Sequence, residues 1–131
     1  MAKRDLDQLL AVPVKSIDVG AKTDGTVNGV SADLKGYHSA IAFVDSDAWT
    51  DGVHTLSLED SPDDSTFTAV SGGSSVVIDG GADDDQAYKI AYQGVERYVR
   101  VVCVTTGSST GAIVGATIVR GHKKLKGKLN Q

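Results

Sequence analysis

Carboxylates are the side chains of this sequence best supplied to do chemistry. Eleven lie between Asp45 and Asp85, and no Lys or Arg interrupts them. The run Asp79-Gly80-Gly81-Ala82-Asp83-Asp84-Asp85 has the composition of a calcium loop, since a hard cation takes about six to eight oxygens and an acidic glycine-rich loop offers several. The spacing D-x-[DN]-x-[DN]-G with a closing Glu is missing, and Asp45-x-Asp47 followed by Asp51-Gly52 fits no better. Both stretches read as solvated acidic loops. His38, His54 and His122 are scattered, and Cys103 has neither Cys nor His near it, so no zinc spacing exists. The sequence has no G-x-S-x-G elbow and no G-x-x-x-x-G-K loop. The expectation is a protein with no catalytic set, no metal and no cofactor.

Two other features invite a binding role. Lys123, Lys124, Lys126 and Lys128 have the charge to neutralise phosphates, but no aromatic interleaves them and the rest of the chain is acidic. They read as a solvated tail, or one that pairs with a partner's acidic patch, and nucleic acid is not an expected partner. Trp49 is the single Trp among seven aromatics. A carbohydrate platform usually needs several, so Trp49 is expected at a sheet edge or an interface.

The charges are segregated. The first 44 residues balance, and after Asp85 eight Lys/Arg face one acid, Glu96. The net charge of -4 is the small remainder of two opposed blocks. Such a dipolar chain suits docking better than a small-substrate site. One cysteine allows no internal disulfide. No run of about 18 apolar residues exists, so no membrane span is expected, and the N-terminus lacks the apolar core of a signal peptide.

The elements that must position these groups are strands. Val53–Glu59 alternates cleanly, with His54, Leu56 and Leu58 on one face; His54 is therefore expected to be packed. Tyr88–Tyr92 alternates with Tyr88, Ile90 and Tyr92 inward, and Val14–Val19 and Ser39–Asp45 are further period-2 segments. Phe67–Val70 and Val76–Ile78 are short and read as a hairpin or successive edge strands. Asp60-Ser61-Pro62-Asp63-Asp64-Ser65 between strands is turn chemistry. Tyr98–Val104 and Ala112–Val119 are apolar on both faces, and the Gly-flanked Thr105–Gly111 between them reads as a hairpin turn. A strand apolar on both faces needs a second cover: a loop, an arm or another subunit. Seven or eight such strands predict an all-β, antiparallel, jelly-roll-like β-sandwich over residues 14–121. Residues 1–13 read as an N-terminal arm, helical in spacing at Leu6, Leu9 and Leu10 and stopped by Pro13, and 122–131 as a basic C-terminal tail.

Two segments carry a resemblance: Trp49-Thr50-Asp51-Gly52 running on through Glu59-Asp60-Ser61 to Phe67 and Val70, and Tyr92-Gln93-Gly94 followed by Arg97-Tyr98-Val99-Arg100-Val101. In order and spacing, over roughly Lys35 to Lys123, they resemble auxiliary head proteins of tailed bacteriophages and prophages, the decoration or cement proteins. The resemblance implies a virion structural protein on the outer capsid surface, made in the host cytoplasm, whose partners are the major capsid protein and itself, as a homo-dimer or homo-trimer. A carbohydrate- or receptor-binding module, or a tail or neck component, is the alternative. The resemblance brings no catalytic residues. Gly94 is expected to set a turn and Arg97 to pair with Glu96 or a nearby carboxylate. The interface is expected at Leu6, Leu9 and Leu10 of the arm, at Trp49, and on the two-faced strands at Val102, Val104, Val114 and Ile118.

Overall fold

The computed structural model describes residues 10–123. Its ten strands are β1 (Val14–Lys22), β2 (Gly25–Asn28), β3 (Ala32–Asp33), β4 (Tyr37–Trp49), β5 (Val53–Ser61), β6 (Thr68–Ala69), β7 (Ser75–Ile78), β8 (Gln86–Ala91), β9 (Tyr98–Thr106) and β10 (Ala112–Lys123). All pairings are antiparallel. A first sheet has the order β1-β10-β4-β8, and a second has β2-β9-β5-β6, with β3 also on β9 and β7 also on β5. The two pairs β2/β3 and β6/β7 each share one edge, so ten segments fill eight strand positions. This is the double-sheet jelly roll expected from the alternation.

The missed strands are β2 and β3. Four exposed residues make β2, and only two make β3, so neither leaves a period-2 signal. They are separate because Ser16 of β1 reaches between them. Its hydroxyl donates to Val30 O and accepts from Val101 N–H, while its carbonyl accepts from Val30 N–H. Gly29 sits against this stitch, and a Cβ there would meet Ser16 Oγ at 2.3 Å and Val101 O at 2.6 Å.

Two other expectations are corrected. Thr105–Gly111 does not close a hairpin: β9 belongs to the second sheet and β10 to the first, so the turn carries the chain between layers. A hairpin and an inter-sheet turn use the same glycine chemistry, which is why sequence cannot separate them. Leu10 and Ala11 are not helical. Leu10 bridges Gly121, and Ala11 N–H donates to Arg120 O at 2.9 Å, so this part of the arm extends the sheet on its own β10. Leu6 and Leu9 lie outside the described residues, as does the tail after Lys123; His122 and Lys123 belong to β10.

One core cluster lies between the sheets, with Ile17, Val44, Val114 and Ile118 from the first meeting Leu56, Val99, Val101 and Cys103 from the second. The packing matches large to small. β4 sends Ala40, Ala42 and Val44 inward, opposite the larger Leu56 and Leu58 of β5. Its larger residues, Ile41 and Phe43, therefore point outward.

Candidate functional site

The turn that joins the sheets is organised by one acid. Asp51 accepts from the backbone N–H of Gly111 at 2.6 Å, from Ser109 and Thr110 N–H, and from the Ser108 and Ser109 hydroxyls. These donors, Gly111 first, hold its carboxyl well below the usual range. Its carbonyl accepts from His54 Nε2–H at 3.0 Å, and His54 Nδ1 pairs with the Thr105 hydroxyl at 3.0 Å. His54 is fully buried, as its place beside Leu56 and Leu58 predicts. Trp49 is half-buried against the core, its indole N–H donating to Gly52 O at 2.9 Å and its backbone N–H to Asp84.

Around this turn the acids gather. Asp47, Asp51 and the Asp79–Asp85 connection all lie at the end of the sandwich where β4 stops, β5 and β8 start, and β9 passes to β10. Asp83 beside Asp79 pushes the Asp79 carboxyl up. Among the described residues no three metal-ligating side chains converge. The opposite end bears Lys35, Arg97, Arg100 and Arg120 among its acids. There Arg97 grips Asp33 through two nitrogens at 2.8 Å each and holds its carboxyl down to about 2. So Arg97 pairs with a neighbouring carboxylate across the fold, not with Glu96. Arg120 lies over the Tyr37 ring and donates to Asp33 O and Val12 O, tying in the chain before β1. Gly94 answers a close approach: a Cβ would meet Tyr92 Oη at 2.5 Å, where that hydroxyl donates to Asp60. An open cleft of about 430 Å³ at this end is lined by Tyr37, His38, Tyr92, Glu96 and Arg97.

The expected interface residues fall in different places. Val114 and Ile118 are core, not surface. β10 is apolar on both faces, and a slip of one residue exchanges them; the outward side chains are Ile113, Thr117 and Val119. Val102 points outward on β9 yet is only 5% exposed. Its cover comes from its own chain. The segment after β5 passes over that face, with Asp64 accepting from the Ser31 hydroxyl and the Phe67 ring 3.9 Å from the Arg100 guanidinium, which also pairs with Glu59. Val104, one pleat further, stays 40% exposed in a row with Thr26, Thr55 and Val77. Leu10 is half-buried against β10.

The outer face of the first sheet is the surface the sequence does not disclose. Phe43 is 45% and Val19 60% exposed there, beside the half-buried Ile41 and Val119. Side-chain size gives the wrong signal on β4, because its small residues are the buried ones.

No protein-family model matches the sequence, and no curated protein does. A solved structure of Bacillus endospore appendages, described as a novel family of disulfide-linked pili, has a similar fold, with a TM-score of 0.50 at 16% identity over 86% of this chain and 88% of that one. That likeness concerns the fold alone.

Proposed function

We propose that this chain is a structural protein of a phage head, a decoration or cement protein that binds the major capsid protein on the outer surface of the assembled shell. The observation that carries the reading is the row Thr26, Val104, Thr55 and Val77 on the second sheet: uncharged and β-branched, exposed at Thr26, Val104 and Val77 and half-buried at Thr55, and mounted on a rigid jelly roll. A flat uncharged row of this kind, with Val104 and Val77 as its apolar members, is a surface for another protein rather than a pocket for a small molecule. The two segments that carry the resemblance support the reading as one framework. β5 and β9 pair along their whole lengths, from Val53 with Thr106 to Ser61 with Tyr98, and Tyr92 closes onto Asp60. A disulfide-linked appendage is less suited to this chain, because its single cysteine, Cys103, is buried in the core.

The test is co-sedimentation with undecorated heads. The protein binds at fixed stoichiometry, and Val104→Asp with Val77→Asp weakens binding about tenfold or more while leaving the fold intact, since a charge then replaces an apolar contact. Folded protein that ignores heads at every salt concentration overturns the proposal.

A further inference from the structure

A strand at the edge of a sheet offers unpaired N–H and C=O groups to any strand that comes alongside, and folds guard such edges with charges, prolines or bulges. The first sheet is guarded. Its edge β1 is irregular at two places and carries Lys15, Asp18 and Lys22, and its edge β8 carries Lys89. The second sheet is not. Its edges β2 and β7 each pair on one side only among the described residues, and residues 25–32 and 65–78 hold no charged side chain and no proline. We propose that these two edges pair with each other between copies of this chain: β2 of one copy adds antiparallel to β7 of a second and continues its sheet. This inference stands independently of binding to a shell, which uses the outward side chains of that sheet and not its edges.

Backbone phase and register make the two edges fit. Gly29 N–H donates to Val101 O, so Gly25 and Val27 turn their polar backbone groups to β9, and Thr26 and Asn28 turn theirs to the free edge. On the other side Val70 N–H donates to Leu58 O. His54 and Leu56, in phase with Leu58, therefore bond Ile78 and Val76, and Ser75 and Val77 turn their groups to the free edge. The register runs from Thr26 through Val104 and Thr55 to Val77, so Thr26 and Val77 stand at one level and on one face. A second copy set alongside, turned only by the twist of the sheet, brings Thr26 opposite Val77 of the partner subunit and Asn28 opposite Ser75 of the partner subunit. Direction alternates across β2-β9-β5-β7, so the new ladder is antiparallel like every other in the fold. Both facing pairs then exchange N–H···O bonds. On the inner side Val27, 39% exposed, meets the partner subunit's half-buried Val76. On the outer side the β-branched Thr26 meets Val77 and the polar Asn28 meets Ser75, with no charge at either contact. The contact joins unlike edges, so it builds a row or a ring, and two joined copies still have one β2 and one β7 free.

Four residues on each side make a small seam, and disulfide trapping of the full chain reads it. Asn28→Cys and Ser75→Cys, made in separate chains and mixed at high concentration under mild oxidation, form a mixed disulfide, since residues facing each other in such a pair stand about 5.5 Å apart at Cα. The native Cys103 is buried and does not compete. The mixed product exceeds either homodimeric disulfide by about tenfold, and exceeds by as much the product of Asn28→Cys with Val19→Cys, an exposed site on the first sheet. Thr26→Pro in the Asn28→Cys chain lowers the yield about tenfold, because it removes a donor of the seam and none of the β2–β9 ladder. Circular dichroism melts check that each variant folds, and Val104→Asp leaves the cross-link unchanged while weakening shell binding. A mixed yield no greater than that with Val19→Cys, a predominance of Asn28→Cys homodimers, or indifference to Thr26→Pro in a folded variant overturns the proposal.

Discussion

Asp51 belongs to a block of eleven acids, yet its carboxylate spends its oxygens on three backbone N–H groups and two hydroxyls of one turn. Composition marks such a residue as solvated charge; only the fold shows it as a staple. Asp63 does the same for its own loop, accepting from Thr66 and Ser65 N–H and from the Ser61 hydroxyl, and this was legible as turn chemistry. Asp33, Asp51 and Asp63 are all held low when folded, Asp33 at about 2 through Arg97. A group depressed in the folded state takes up protons more readily when unfolded. Its stabilisation is therefore complete above the ordinary carboxylate range and is lost as pH falls through that range toward the folded value. The melting temperature should fall on acidification from about pH 5 to pH 2. Asp33→Asn should flatten that slope, with a neutral-pH cost of no more than about 1 kcal/mol because the pair with Arg97 is exposed to solvent. Asp79 has the opposite sign. Its carboxyl is raised by Asp83, so the folded state prefers it protonated and its charge costs stability at neutral pH. Asp79→Asn should raise the melting temperature at neutral pH and lose that gain in acid. Calorimetry of both variants across pH checks the pair of signs; a steeper acid slope in Asp33→Asn would refute the assignment.

At the scale of elements, period-2 alternation disclosed β1, β4, β5 and β8, while β9 and β10 were legible as runs apolar on both faces. It disclosed the inward sides of β5 and β8 because their polar and apolar residues separate cleanly: Leu56, Leu58 and Ile90 are all buried. It failed where a strand is apolar throughout, as in β10, and where volume and burial run in opposite directions, as in β4. The cover over Val102 was left open among a loop, an arm and another subunit, and its 5% exposure within the single chain means that no other subunit is needed to cover it. These placements give unequal costs. Leu56→Ala should destabilise by about 2–5 kcal/mol, since the side chain is fully enclosed between the sheets. Phe43→Thr, on the outward face of β4 and 45% exposed, should change monomer stability by less than about 0.5 kcal/mol. Gly111→Ala should cost at least about 2 kcal/mol, because its φ is +88° and a Cβ would press on Lys22 O at 1.9 Å. Urea unfolding of the three variants measures the ranking, and a Phe43→Thr loss comparable to that of Leu56→Ala would mean that the outward face of β4 is wrongly identified.

At the scale of the molecule, the acidic block of the sequence divides between the two ends of the sandwich, with Glu59, Asp60, Asp63 and Asp64 at the end that bears Arg97 and Arg100. The acids near Asp47, Asp51 and Asp79–Asp85 stand at one end, and β10 carries the chain to the other before Lys124, Lys126 and Lys128 follow. From Ala112 to Lys123 β10 spans about 36 Å, whereas the five residues from Lys123 to Lys128 reach at most about 18 Å. That reach is too short to bring these lysines to the acids at Asp47, Asp51 and Asp79–Asp85 of their own molecule, and those acids stay available to a partner. Exposed pairs contribute about 0–1 kcal/mol each and are screened beyond about 8–10 Å at physiological salt. Apolar contacts through the sheet faces persist or strengthen as salt rises. On the proposed capsid-binding role, charge then sets orientation and on-rate, while the faces set the lifetime. Replacing Lys123, Lys124, Lys126 and Lys128 by Gln should slow association with undecorated heads and reduce its salt dependence, yet leave dissociation nearly unchanged. Binding kinetics across a salt series read both rates. Complete loss of binding at low salt would show that the tail, and not the uncharged row on the second sheet, holds the protein on the shell.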